Sequence, residues 1–133
     1  MKKILILLLL MVVSTNVMAE WTAVSRSKDD DTTVYADFGT IKKKGNKVKM
    51  WSLSDYKTVL IYEKDNTRYL SMLVRYEYDC EEETVRMLDL HGYSGNMKTG
   101  HNVFSNTNIQ NQSTSIRPDT IEEVVFKIAC YKK

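Results

Sequence analysis

Between Val74 and Cys80 the chain alternates with period two: Val74, Tyr76, Tyr78 and Cys80 on one side, Arg75, Glu77 and Asp79 on the other. That alternation predicts a half-buried β-strand with Cys80 pointing inward and Asp79 outward. Residues 21–27 (WTAVSRS) and 32–37 (TTVYAD) predict two earlier strands, joined by a polar turn at Lys28, Asp29, Asp30 and Asp31. Gly45 and Asn46 both tolerate positive φ and suit a tight turn. From Lys47 to Tyr56 the pattern predicts a long strand, with Val48 and Met50 on one face and Trp51 and Leu53 on the other. Neither face is cleanly polar, so both are expected to be partly covered. Residues 58–62 (TVLIY) form a further apolar run, Asp65–Asn66 a turn, and residues 69–79 the strand that ends at Cys80.

Glu81, Glu82 and Glu83 then mark a charged turn, and residues 84–93 a returning strand. In that strand Met87 and Leu88 are adjacent and Leu90 follows, so the alternation slips by one. A β-bulge accounts for such a slip. Residues 102–115 are rich in Asn, Ser, Thr and Gln and predict a long loop, pinned at Val103, Phe104 and Ile109. Loops of this length are commonly functional or disordered. Asn111–Gln112–Ser113 within it matches a glycosylation sequon, a motif too short to carry weight.

The last segment predicts a helix. Pro118 opens it, Asp119 or Thr120 caps it, and Thr120 with Glu123 has capping-box spacing. Ile121, Val124, Val125, Ile128 and Ala129 give one apolar stripe. Glu122 and Glu123 at the start and Lys132 and Lys133 past the end suit the helix dipole. The predicted fold is α+β: an antiparallel sheet with a C-terminal helix packed on it.

The first residues change the setting. Lys2 and Lys3 precede ten unbroken apolar residues, Ile4 through Val13, and Val17 and Ala19 give a small-residue pattern before Glu20. This is the layout of a secretory signal peptide, with an apolar run shorter than the roughly 20 residues that span a bilayer. Cleavage after Ala19 is expected, leaving residues 20–133 as one domain with no stable membrane anchor, in the periplasm or at the cell surface. No cysteine adjoins the cleavage point, so lipid attachment there is not expected. Removing residues 1–19 takes two lysines, so the basic count falls from 19 to 17 and equals the 17 acidic residues. A neutral domain gives no support for nucleic-acid binding, which favours a net basic face.

Export also decides the reading of the two cysteines. An even pair far apart in an exported chain predicts a disulfide, Cys80 to Cys130. The competing reading is a reactive thiol, but Asp79, Glu81, Glu82 and Glu83 around Cys80 disfavour a thiolate.

Other candidate chemistry is thin. His91 and His101 show no metal-ligand spacing, and no G-x-S-x-G nucleophile elbow occurs. Glu and Asp residues such as Glu77, Asp79 and Asp89 could in principle form an acid/base pair, but the acidic residues cluster in turns and read mostly as solvated charge, and no pair can be placed. Asp29 to Asp31 lack the alternating ligands and glycine of a calcium loop. No catalytic residue, metal or cofactor is expected. The run Lys42, Lys43, Lys44, Lys47 and Lys49 is the one local basic patch. It is either a contact for an acidic polymer or partner surface, or a solvated hairpin tip that guards against edge pairing.

The pieces EWTAVSRS, VYADFGTIKKKGNKVKMWSLSDYK, YLSMLVRYEYDC, YSGNMKTG and FKIACYKK, in that order, resemble the surface-adhesin protein E family of Gram-negative bacteria. The resemblance runs from Trp21 to Cys130. It implies an antiparallel sheet, a terminal helix and a bridge between Cys80 and Cys130. It also implies an exported, non-enzymatic protein-binding module that adheres to host matrix or serum proteins. The best-known member of that family looks like a surface lipoprotein, and its lipid-attachment cysteine after the leader is not expected here. The alternative expectation is a periplasmic inhibitor or envelope-associated factor that binds an endogenous enzyme.

Overall fold

In a computed structural model, which describes residues 20–107, 109 and 111–131, the chain forms eight antiparallel strands and one helix. The strands are β1 (Thr22–Arg26), β2 (Thr32–Ala36), β3 (Lys42–Lys44), β4 (Lys47–Tyr62), β5 (Thr67–Asp79), β6 (Thr84–Tyr93), β7 (Asn102–Asn106) and β8 (Thr114–Ser115). The helix, α1, is Ile121–Tyr131. The spatial order is β1-β2-β4-β5-β6-β7, with β3 paired to the start of β4 and β8 to the start of β6. The expected α+β architecture therefore holds. The leader at residues 1–19 and the end lysines Lys132 and Lys133 lie outside the described residues. Among the described residues no helix is long and apolar enough to cross a membrane.

Each tight connection uses the left-handed backbone that small turns need. Gly45 (φ 62°) turns β3 into β4, Asn66 (φ 59°) turns β4 into β5, and Glu83 (φ 55°) ends the turn into β6. At that last turn the carboxylate of Asp79 accepts from the backbone N–H of Glu81 and Glu82 at 3.1 and 3.0 Å. Two sequence segments merge differently from expectation. Residues 58–62 are not a separate strand but the far end of β4, whose pairing with β5 is irregular between Asp55 and Leu60.

The polar stretch 102–115 is not one long loop. It holds β7, which lies on β6, and β8, which pairs Thr114 with Val85. The low strand propensity of Asn and Ser is overridden by packing. Phe104 is buried against Gly92 and stacks on Tyr62 at 4.0 Å between ring centroids.

The core lies between one face of the sheet and α1. Val34, Ala36, Val48, Met50, Tyr78 and Val85 from the strands meet Val125, Phe126, Ala129 and Cys130 from the helix. Cys80 and Cys130 are bridged, with Cα atoms 5.7 Å apart across a sequence separation of 50. The bridge joins the end of β5 to the last turn of α1 and fixes which helical stripe faces the sheet. Cys130 and Phe126 lie one turn apart, so Phe126 is driven inward, and Val124, expected in the apolar stripe, is left 39% exposed. Pro118 stands in the turn before the helix, not at its first residue. Asp119 has φ 60°, which excludes it from the helix, and Thr120 caps by accepting from Glu123 N–H at 3.2 Å.

Candidate binding face

The helix covers one side of the sheet; the opposite side carries charged and aromatic residues toward the β3 end, while Leu53 and Leu73 further along it are buried. Period two in β4 puts Lys47, Lys49, Trp51 and Leu53 on that side, and cross-strand register places Glu77, Arg75 and Leu73 of β5 beside the last three. In β3, Lys42 pairs with Lys49 and Lys44 with Lys47, so these four lysines share the face. Lys43 pairs with the buried Val48 and belongs to the other side.

The bulge expected near Met87 and Leu88 is present and decides the chemistry of this face. Arg75 pairs with Asp89 and Tyr76 with Met87, so Leu88 is the extra residue. Arg86 and Asp89 are three apart and would otherwise point to opposite sides. With Leu88 inserted, both join Arg75 and Glu77. Arg75 Nε donates to Asp89 at 2.5 Å, and Arg86 to Glu77 at 3.1 Å. Lys47 Nζ also lies 3.8 Å from Glu77.

The aromatic at the centre is Trp51. The Arg75 guanidinium sits 5.6 Å from its ring centroid, within cation–π range, and the His91 ring lies 6.0 Å away, tilted by 32°. Its backbone N–H donates to the Thr40 hydroxyl at 3.1 Å, which in turn donates to the Asp37 carbonyl at 2.6 Å. Asp37 caps this 38–40 turn by accepting from Gly39 N–H at 3.0 Å. The turn thus fixes the strand that carries the ring.

The carboxylates weighed from sequence have structural partners. Asp89 is buried against Arg75, not solvated in a turn, and Glu77 is shared between Arg86 and Lys47. Asp79 holds a turn. His91 Nδ1 is 2.8 Å from Ser105 Oγ, while the His101 N–H binds Ser94. The structure does not bring the two histidines together with the carboxylates, and no cluster of three or more such side chains able to hold a metal occurs among the described residues. Asp29 accepts from Ser27 Oγ at 2.6 Å, Asp30 pairs with Lys57 at 2.8 Å and Asp31 accepts from Thr58 at 2.9 Å. The Ser27 bond, then the Lys57 bond for Asp30, holds the Asp29 and Asp30 carboxyls below their ordinary range.

Beneath the helix the tyrosines respond to burial. Loss of solvent pushes the Tyr76 phenol up to about 12 and Tyr78 well above its usual value. A cavity of about 130 Å³ lies here beside Ser52, Tyr76, Tyr78 and Val125. The buried Ser52 Oγ has no hydrogen-bond partner.

At the other end of the sheet the β4–β5 hairpin carries an apolar spot. Val59 and Ile61 remain 47% and 57% exposed. Behind them Tyr69 meets both Tyr56 and Phe104 edge-on, at 5.9 and 5.1 Å.

The lysines stand out in the sequence as a run, but their neighbours on the face do not. Trp51 and Arg75 were legible one strand at a time through period two, whereas Arg86 and Asp89 lie in the strand whose alternation slips. Their convergence depended on register and on the bulge.

The geometry is that of a disulfide-stapled α+β domain whose sheet is covered on one side and displays a charged, aromatic face on the other. The chain belongs to the surface-adhesin protein E family, whose profile matches residues 21–131. Its fold is that of Haemophilus influenzae protein E. One crystal structure of that protein aligns with a TM-score of 0.59 and 15% identity over 87% of each chain. A second crystal form gives 0.60 and 16% identity over 87% of this chain and 91% of that one. Protein E from a non-typeable strain gives 0.58 and 15% identity over 87% and 78%. No curated protein sequence matches significantly.

Proposed function

We propose that the protein is an exported, non-enzymatic adhesin-like module that binds a host matrix or serum protein at the turn end of the β4–β5 hairpin. The observation that carries this reading is the exposure of Val59 and Ile61. Two large apolar side chains left in water on a strand held from behind by an aromatic cluster have the character of an interface core. The family supports a surface adhesin, and the catalytic candidates are held in structural bonds. The expected leader at residues 1–19 supports export.

The test is binding of purified residues 20–133, with the disulfide formed, to immobilised extracellular-matrix and serum proteins. Saturable binding that Val59→Lys with Ile61→Lys weakens at least roughly tenfold is expected for hot-spot residues. Absence of saturable binding to every protein tried, or binding indifferent to both substitutions, contradicts the proposal.

A further inference from the structure

We propose that the open face of β3, β4 and the adjoining part of β5 is a binding site for a linear anionic polysaccharide. Lys42, Lys44, Lys47 and Lys49 set the acidic groups, and Trp51 stacks on a sugar ring. The site lies at the opposite end of β4 from Val59 and Ile61 and does not depend on the protein contact proposed there.

The first observation is the pairing of like charges. Lys42 stands opposite Lys49 and Lys44 opposite Lys47. Directly opposed residues are about 5 Å apart at Cβ, and like charges in such pairs destabilise a sheet. Along a strand, residues two apart are about 7 Å apart. The hairpin therefore roots four lysines in a two-by-two arrangement, at some cost to its own stability. Among the described residues only Lys47 of the four has a carboxylate within ion-pair distance, and that carboxylate, Glu77, is already shared with Arg86. A ligand with closely spaced anions would supply the missing counter-charge.

The second observation is shape. These four lysines, Glu77 and the neighbouring Lys43 at the hairpin edge line a shallow depression of about 410 Å³, and a neighbouring one of about 220 Å³ continues it over Lys49, Trp51 and Arg75. Lysines and aromatic ring thus lie in line along β4. A flat indole beside cationic groups suits a pyranose ring bearing acidic substituents, since the ring's C–H face packs on the π system while sulfate or phosphate reaches the lysines. Lys presents compact point charges suited to such groups.

The third observation separates this ligand from a membrane surface. Lipid docking combines basic residues with apolar side chains that enter the acyl boundary. Among the described residues the large exposed apolar side chains are Val59, Ile61, Met97, Val124 and Tyr131, none of them beside the four lysines.

The experiment is titration of the disulfide-bonded domain with a heparin oligosaccharide at several salt concentrations. In parallel it is titrated with a phosphorylated core oligosaccharide of lipopolysaccharide. Expected is saturable binding whose affinity falls with salt, as for any ligand held by counterion release. Tighter heparin binding identifies a host sulfated glycan and tighter core binding the cell's own envelope glycan, and both support the site. Lys42→Gln, Lys44→Gln, Lys47→Gln and Lys49→Gln combined should weaken binding by roughly tenfold or more and flatten the salt dependence. The milder Lys42→Gln with Lys44→Gln should do the same to a smaller extent, which keeps the test decisive should the fourfold variant not fold. Trp51→Leu should weaken binding with the salt slope unchanged. Lys28→Gln with Lys64→Gln should change neither. No binding at low salt, binding indifferent to the hairpin lysines, or equal binding of polyglutamate matched in charge would overturn the proposal. So would binding to anionic phospholipid vesicles without binding to either glycan.

Discussion

Phe104 lies directly over Gly92 across the β6–β7 pair: the two are in register, and a Cβ on Gly92 would collide with the Phe104 ring. Gly92 is there for space. The same ring stacks on Tyr62 and meets Tyr69 edge-on, so it cannot move aside freely. Gly92→Ala should destabilise the domain by about 1–3 kcal/mol, the usual cost of overpacking. Adding Phe104→Leu should recover part of that loss, because neighbouring substitutions couple. Denaturant unfolding of both singles and the double checks this, and strictly additive losses would contradict it.

The bridge between Cys80 and Cys130 closes a sequence separation of 50. In the chain-entropy account this contributes about 4 kcal/mol. Cys80→Ala and Cys130→Ala should therefore destabilise similarly, with the double variant little worse than either single. Equilibrium unfolding without reductant reads this directly.

Ser52 offers the reverse case. Its hydroxyl is buried without a partner beside a cavity, so it contributes a desolvation cost and no compensating bond. Ser52→Ala should leave stability unchanged or raise it by about 1 kcal/mol. A loss above about 1 kcal/mol in denaturant unfolding would mean the hydroxyl is held after all.

Tyr78 and Tyr76 make stability depend on alkaline pH. In the unfolded chain tyrosines release their protons near pH 10. In the fold, burial holds the Tyr76 proton to about 12 and that of Tyr78 beyond its usual range. Above pH 10 the unfolded state thus binds fewer protons, and stability falls as pH rises. Below pH 10 these two residues add no pH dependence. Thermal melts between pH 8 and 12 should show a flat region followed by a decline, and Tyr76→Phe should make the decline shallower.

Much of the strand framework was legible in the sequence because one face is buried and the other is not. Val74, Tyr76, Tyr78 and Cys80 showed it most plainly, and the slip at Met87 and Leu88 correctly signalled a bulge. Residues 102–106 were not legible as strand, since their Asn and Ser content masks a pairing that depends on Phe104 meeting Gly92. The helix was placed correctly but rotated: periodicity alone admits Val124 to the stripe, and only the bridge at Cys130 brings Phe126 in. The consequence is measurable. Phe126→Ala should cost about 3–5 kcal/mol, whereas Val124→Gln should stay within about 0.5 kcal/mol. For the binding face, the lysine run was visible as composition, but its alignment with Trp51 and Arg75 exists only once three strands are in register.

The most direct test of the central claim, an exported adhesin-like module displayed outside the cell, is protease shaving of intact cells that carry the tagged protein. A periplasmic marker serves as control. The account predicts loss of the tag while the marker survives. Protection of the tag until the outer membrane is opened would contradict it.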